Sequence, residues 1–308
     1  MSARHAQAAN VVRPAIDGFA VAVMLLLTFS WGLNQVAIKV SNGGYNPMLA
    51  VFVRAAGGGL LVCLWCRWRG IALFSRDGTF WPGVAAGLLF GIEFVLMFAG
   101  LEHTSAARGS LMVNTMPFWV LLGGHFLLGE EISAQRIGGL VVAFAGVALI
   151  FSDGLSLPGP QALKGDLLCL GAGMLWAALV LVVRTTRLAQ ASPEKTLLYQ
   201  LAVSALIAAP LMPFYGPLLR EVTPVATASL AFQTVFVVAF TYVLWFWMVR
   251  RYPASGLSSF TFLSPAFGVI LAALLLDEPL TLRILAALAL IALGLVLVNR
   301  PARGRARV

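Results

Sequence analysis

The feature that most constrains this chain is a succession of apolar runs, each about as long as a bilayer is thick. Cut at Gly, Pro and charge clusters, they fall at about 17–39, 47–68, 79–101, 105–128, 134–151, 165–186, 194–215, 225–249, 254–276 and 281–299. A spanning helix needs ~20 apolar residues. The runs are continuous, unlike the ten-residue alternations of barrel strands, and a helix satisfies its own backbone polar groups inside lipid. Their connections are short, as in Ser41-Asn42-Gly43-Gly44-Tyr45-Asn46, and the longest, around 152–164, carries Pro158, Gly159 and Pro160. The expected fold class is an all-α polytopic membrane protein with ten transmembrane helices.

With 60% of residues apolar and 11% charged, and a mean hydropathy of +0.91, the chain is neither a soluble enzyme nor a secreted disulfide scaffold. Its net charge of +9 and pI near 10.2 suggest nucleic acid until the charges are placed. With the N-terminus inside, one face collects Arg4, Arg13, Arg67, Arg69, Arg76, Arg136, Arg184, Arg187, Lys195, Arg250, Arg251, Arg300, Arg303, Arg305 and Arg307. The other face holds only Lys39, Arg108, Lys164, Arg220 and Arg283, and Arg54 lies inside a segment. Cytoplasmic loops carry such an excess, so the basic balance is topological, both termini are expected in the cytoplasm, and no nucleic-acid partner is implied. The first run follows Arg4 and Arg13 as a signal peptide would. It exceeds twenty residues, contains Trp31, Asn34 and Gln35 and shows no clear small-residue cleavage site, so it is read as retained. Cys63, Cys66 and Cys169 lack the further pair or spaced histidines a metal site needs, and His5, His103 and His125 are scattered. No cofactor, metal or catalytic set is expected.

Sliding the chain on itself by 148 residues aligns Phe98 with Phe246, Ala106 with Ala254, Ser110 with Ser258, Pro117 with Pro265, Glu130 with Glu278, Leu140 with Leu288 and Gly146 with Gly294. Leucine matches mean little in apolar helices, whereas Pro, Glu and Gly matching at one offset indicate a repeat. Earlier in each half, Trp31 pairs with Trp176 and Lys39 with Arg184 at offset 145, and Pro47 with Pro193 at 146. The expected organisation is an N-tail (1–16), a first repeat (17–151), a connecting loop (152–164), a second repeat (165–299) and a basic C-tail (300–308). Segments 3–5 and 8–10 are the most similar parts. Five spans per copy is odd, so the copies are inverted, the architecture that underlies alternating access.

The pattern Pro117, Leu127-Leu128-Gly129-Glu130, Gln135-Arg136-Ile137-Gly138-Gly139 and Gly146 returns as Pro265, Leu275-Leu276-Asp277-Glu278 and Gly294. It resembles the paired EamA repeats of the drug/metabolite transporter superfamily, and the opening Trp31-Gly32 with Asn34 is similar too. The likeness covers roughly 17–299; the second copy departs from it with Pro279 after Glu278 and Ala286 in place of Gly138. The resemblance implies ten helices, an inner-membrane location and transport of a small metabolite, commonly export. Among its branches, the exporters of aromatic and other amino acids are similar.

A charge in the bilayer centre is expensive, so each one is a functional candidate. Glu93, flanked by Phe94 and with Met97 one turn on, lies mid-segment among apolar neighbours and could carry a coupling proton; the alternative is a structural carboxylate paired with Arg54. Arg54 itself reads as structural more than functional. Glu130 is expected to fix the turn between segments 4 and 5. Segment 4 sets Ser110, Asn114 and Pro117 on one arc, and segment 9 sets Ser255, Ser258, Ser259 and Phe262 before Pro265. Prolines at corresponding positions interrupt helices and point to a binding site, the alternative being small residues that let helices pack. Segment 1 carries Ser30, Trp31, Asn34 and Gln35 on one side; Trp176 is the repeat mate of Trp31, and Tyr242, Trp245 and Phe246 form an aromatic cluster. Such rings bind a substrate ring or a cationic head, or else anchor at the interface, the reading given to Trp65, Trp68 and Trp81.

The leading expectation is a secondary transporter exporting aromatic or hydrophobic amino acids, or related small metabolites, with the lipid bilayer and a small-molecule substrate as partners and a monomer as the working assembly. No G-x-x-x-x-G-K-[ST] loop occurs to support ATP use. The alternatives are a lipid or lipid-linked sugar flippase, or drug efflux, in the same superfamily. An intramembrane enzyme is third, since the twelve acidic residues form no catalytic cluster.

Overall fold

The computed structural model describes residues 15–73, 75, 77–101, 103–104, 106–150, 152, 161–276 and 282–300. Its helices are α1 (Gly18–Gly44), α2 (Pro47–Arg69), α3 (Phe80–Leu101), α4 (Ala106–Val113), α5 (Met116–Leu128), α6 (Ala134–Ile150), α7 (Ala162–Thr185) and α8 (Pro193–Leu211). Then come α9 (Pro224–Phe232), α10 (Tyr242–Arg251), α11 (Ala254–Ser259), α12 (Leu263–Leu276) and α13 (Leu282–Asn299). Among the described residues seven helical stretches are long and apolar enough to cross a membrane, while Gly18–Asn34 and Ala134–Ile150 are apolar but shorter. The chain is a helical, multi-pass membrane protein.

Several starts are set by a polar residue followed by proline. Asn46 Oδ1 accepts from the Met48 and Leu49 amides at 2.9 and 3.2 Å, with Pro47 opening α2. Ser192-Pro193 opens α8 and Thr223-Pro224 opens α9 in the same way. The side chain satisfies amides that have no partner within the helix, and proline has no amide to leave unsatisfied. Gly70 and Gly129 close α2 and α5 at φ 66° and 68°, a region costly for other residues.

Two of the apolar runs are broken at their prolines. Pro117 sits four residues beyond Val113, where α4 ends, and the chain turns at Asn114–Thr115 before α5. Pro265 sits four beyond Thr261, within the 3-10 turn Phe260–Phe262 that separates α11 from α12. A proline ring clashes with the carbonyl four residues back and offers that carbonyl no donor. The eighth run departs from expectation: between α9 and α10 lies a π-helical stretch, Gln233–Thr241, which no proline or glycine within it announces.

The helices pack in a pattern that is almost unchanged when the two halves of the chain are exchanged. α3 lies against α7, and the α9–α10 rod against α1; α4 and α5 lie against α7, and α12 against α1; α3 meets α8, and the π stretch meets α2. The pairs α2–α8 and α6–α13 map onto themselves, and α5 lies against α11. Glycines allow α6 and α13 to cross closely. A Cβ on Gly139 would sit 2.8 Å from the Gly294 carbonyl oxygen, and one on Gly146 would sit 2.7 Å from that of Ala287. At offset 148 these two contacts are each other's image.

Candidate functional site

The basic end of the bundle is tied by long-range polar contacts. Glu130 accepts from the Ala254 and Ser255 amides at 3.0 and 3.4 Å and from the Ser255 hydroxyl. Glu130 does more than serve its own turn, where Arg136 lies 4.0 Å away: α11 is preceded by Pro253, which has no side-chain acceptor, so Glu130 caps it from across the bundle. Gln135 donates to the Leu297 and Arg300 carbonyls, Arg184 to those of Val249 and Tyr252, and Tyr252 to Asp17. Nearby, Lys195 Nζ lies 2.8 Å from Asp77 Oδ2 and 3.0 Å from Ser75 Oγ. Hydrogen bonds from Lys195, Thr79 and Ser75 hold the Asp77 carboxyl well below the usual carboxylate range. At the opposite end Asn46 Nδ2 donates to the Met212 and Gly216 carbonyls, Arg220 donates to that of Asn42, and Asp166 takes bonds from Thr104 and Arg108.

Between these laced ends the polar groups are sparse and incompletely paired. A cavity of about 10 Å³, room for roughly one water, lies between α2, α3, α8 and the α9–α10 rod. It is lined in repeat pairs: Ala55 and Leu201 are mates at offset 146, and Phe90 with Val238 and Phe94 with Tyr242 are mates at 148. Arg54 lines it too, only 5% exposed. Its Nη2 donates to the Tyr242 hydroxyl at 3.5 Å, its guanidinium lies 5.8 Å from the Phe94 ring centre, and its Nε has no partner.

Glu93 is 8% exposed, and its Oε2 is without a hydrogen-bond partner. The pairing of Glu93 with Arg54 considered from sequence is not formed: no ion pair joins them among the described residues. The Tyr242 hydroxyl stands within electrostatic reach of both. An aromatic wall adjoins them. Trp31 meets Trp176, Tyr242 and Trp245 edge-on at 6.4, 6.4 and 5.4 Å between ring centres, and Phe90 meets Phe94 and Tyr242 at 5.0 and 6.2 Å. Trp31 Nε1 donates to Thr241 Oγ1 at 3.1 Å.

The residues singled out from sequence thus divide. Trp31, Trp176, Tyr242, Trp245 and Phe94 converge, with Phe246 buried beside Trp245 on α10. Met97 receives the Cys169 thiol on its carbonyl, and Asn34 is buried with Oδ1 unpaired. Ser258, Ser259 and Phe262 are fully buried elsewhere: Phe262 packs on Phe118 and Phe144, and Ser259 accepts from Asn299. Asn114 is buried at the break between α4 and α5. The side chains of Gln35 and Ser110 lie outside the described residues, as do 277–281 with Glu278 and Pro279. Trp65, Trp68 and Trp81 are exposed, as interface anchors are. Sequence reasoning passed over Gln200 and Thr241. Gln200 is buried with Oε1 unpaired, and Thr241 takes the Trp31 bond. Repeat arithmetic would have found both, since they are the mates of Arg54 at 146 and of Glu93 at 148.

A multi-pass bundle with unpaired polar groups buried between its helices fits the class of membrane transporters. The model of the EamA-like transporter family matches residues 18–152 and again 163–300, and the chain belongs to that family, whose members are transporters rather than enzymes. It is 28% identical to the uncharacterized transporter YvbV of Bacillus subtilis, over 92% of each chain. It is 29% identical to a probable amino-acid metabolite efflux pump of Salmonella typhimurium, over 91% of this chain and 93% of that one. One solved crystal structure shares the fold with a TM-score of 0.79 over 90% of this chain and 95% of the other, at 19% identity.

Proposed function

We propose that this protein exports amino acids with aromatic or hydrophobic side chains, or closely related metabolites, by alternating access through ten helices arranged as two inverted repeats of five. The observation that carries this reading is the interhelical cavity, lined by Arg54 and by repeat-related residues, with the buried Glu93 carboxylate within electrostatic reach of its Tyr242 and an aromatic wall adjoining. Rings suit an apolar side chain, and the two charges suit the ends of a zwitterion. The two family matches, 18–152 and 163–300, support the division into repeats at 17–151 and 165–299. The exchange-symmetric packing supports it further. Gathering of Arg184, Lys195, Arg250 and Arg136 at one end supports cytoplasmic termini in an inner membrane. The printed name of the Salmonella relative supports amino-acid efflux.

In this conformation the cavity admits about one water, so loading requires the helices around it to separate. Trp31, Trp176, Tyr242, Trp245 and Phe94 form the substrate wall in this reading, and Glu93 is the coupling group, taking a proton on one side and releasing it on the other. The test is flux of labelled phenylalanine, tryptophan and leucine in proteoliposomes, with and without a pH gradient. Flux that depends on Glu93 and Trp176 is expected. A folded protein that moves none of these but translocates fluorescent lipid would replace the reading with a flippase.

A further inference from the structure

Resting on the exporter reading, we infer that Arg54 anchors the carboxylate of the substrate, so that the interhelical cavity selects solutes carrying a carboxylate next to an apolar or aromatic body. Arg54 is one of the more deeply buried cations of the described chain, 5% exposed, on the second turn of α2. An arginine that snorkels would hold its head at the interface; this one lines the cavity between α2, α3, α8 and the α9–α10 rod.

Its pairing is what sets it apart. Other buried or half-buried cations are held by strong acceptors: Lys195 by Asp77 and Ser75, Arg184 by the Val249 and Tyr252 carbonyls, and Arg250 by the Ala189 carbonyl at 2.9 Å. Arg54 has five donors, yet its recorded bond is one contact of 3.5 Å to a neutral hydroxyl, with Nε unpaired. Buried charge without an anion is strongly disfavoured, and it persists where an anion arrives as part of function.

The surroundings identify that anion. A guanidinium presents a planar fork that matches two carboxylate oxygens. The Tyr242 hydroxyl beside it adds a donor, and Phe90 and Phe94 flank the cavity with rings. A free inorganic anion gains nothing from those rings, whereas a solute with an apolar body and a carboxylate uses both. The repeat relation adds that the anchor is one-sided. The mate of Arg54 is Gln200, and the mate of Tyr242 is Phe94, so the pair Arg54–Tyr242, which joins the two halves, has as its image the pair Gln200–Phe94, a neutral amide and a bare ring in place of a charge and a hydroxyl. A solute with two different ends is held in one orientation by such a pair of walls.

The experiment uses the full chain purified in detergent, with thermal unfolding as the readout, since a ligand bound to the folded state raises the melting temperature. The ligands are phenylalanine, phenylacetate, phenethylamine and 2-phenylethanol, which share a ring and differ in the carboxylate. The two acids are expected to stabilise at concentrations at least about tenfold lower than the amine and the alcohol, a difference of about 1.4 kcal/mol in binding. Arg54→Gln is expected to erase that difference, and Arg54→Lys to keep part of it. A general packing defect would lower the melting temperature for all four ligands alike without changing their order. The proposal is overturned if the amine or alcohol matches the acids on the unmodified protein. It is equally overturned if a folded Arg54→Gln keeps the preference, or if neither acid stabilises. Should Arg54→Gln fail to fold, the ligand order on the unmodified protein and on Arg54→Lys decides. Parallel flux assays separate this from the exporter reading: acids that bind and do not cross leave the anchor and remove the exporter, while phenylalanine and phenethylamine crossing equally leave the exporter and remove the anchor.

Discussion

Glu130 and Glu93 are the same side chain set among helices in two different ways. Glu130 takes two amides and a hydroxyl from the start of α11, with Arg136 4.0 Å away. Glu93 is buried more than nine-tenths on α3 and has an oxygen with no donor. A carboxylate whose lone pairs are filled by fixed backbone groups holds the fold together. One left short of donors keeps its capacity for something that comes and goes, a proton or a substrate ammonium. Among buried polar groups the informative variable is the completeness of pairing, more than depth.

The contrast makes ordered predictions. The largest effect belongs to Glu130→Ala, which strands three donors and is expected to cost about 2–3 kcal/mol of stability, read as a lower melting temperature in detergent, with Glu130→Gln retaining part of the loss. Glu93→Gln is expected to abolish most of the flux in proteoliposomes while stability stays within about 1 kcal/mol of the parent. A Glu93→Gln protein that melts as early as Glu130→Ala would remove the distinction between the two carboxylates. A smaller effect tests the aromatic wall: Trp31→Phe and Thr241→Val each remove one buried hydrogen bond worth about 1 kcal/mol. Since they share that bond, the double variant should cost little more than either single one.

The smallest effect concerns the exposed contact between Asp77 and α8. Lys195, Thr79 and Ser75 stabilise the ionised carboxyl in the folded protein, so its folded pKa lies below the unfolded value of about 3.9. Its contribution to stability is complete above that value and is lost as the pH falls through the folded pKa. Melting temperatures from pH 7 to 3 should show a small acid-side loss that Asp77→Asn removes, and a loss that appears instead on raising the pH would refute this assignment.

Much of the architecture was legible because lipid leaves few options. Continuous apolar runs of about 20 residues become helices since nothing else hides their amides, and the helix breaks near Val113 and Thr261 followed from Pro117 and Pro265. Trp31, Trp176 and Tyr242 could be nominated as rings on interior faces. The π stretch, which beds against α2 and α1, could not, since no residue within it announces it. Nor could the split among the candidates: Ser258 and Ser259 share composition and proline context with a binding face, yet packing against α5 and α13 buries them away from Arg54.

Sequence alone therefore determined that this chain spans a membrane many times and matches one transporter family twice along its length, because hydropathy and matched Pro, Glu and Gly positions are properties of the covalent chain. Only the tertiary structure decided which buried charges are satisfied. Glu130 finds its donors 124 residues away at Ala254, whereas Arg54 and Glu93, which looked like natural partners on paper, form no ion pair with each other. Pairing is a matter of a few ångströms between helices, and no periodicity along a single helix encodes it.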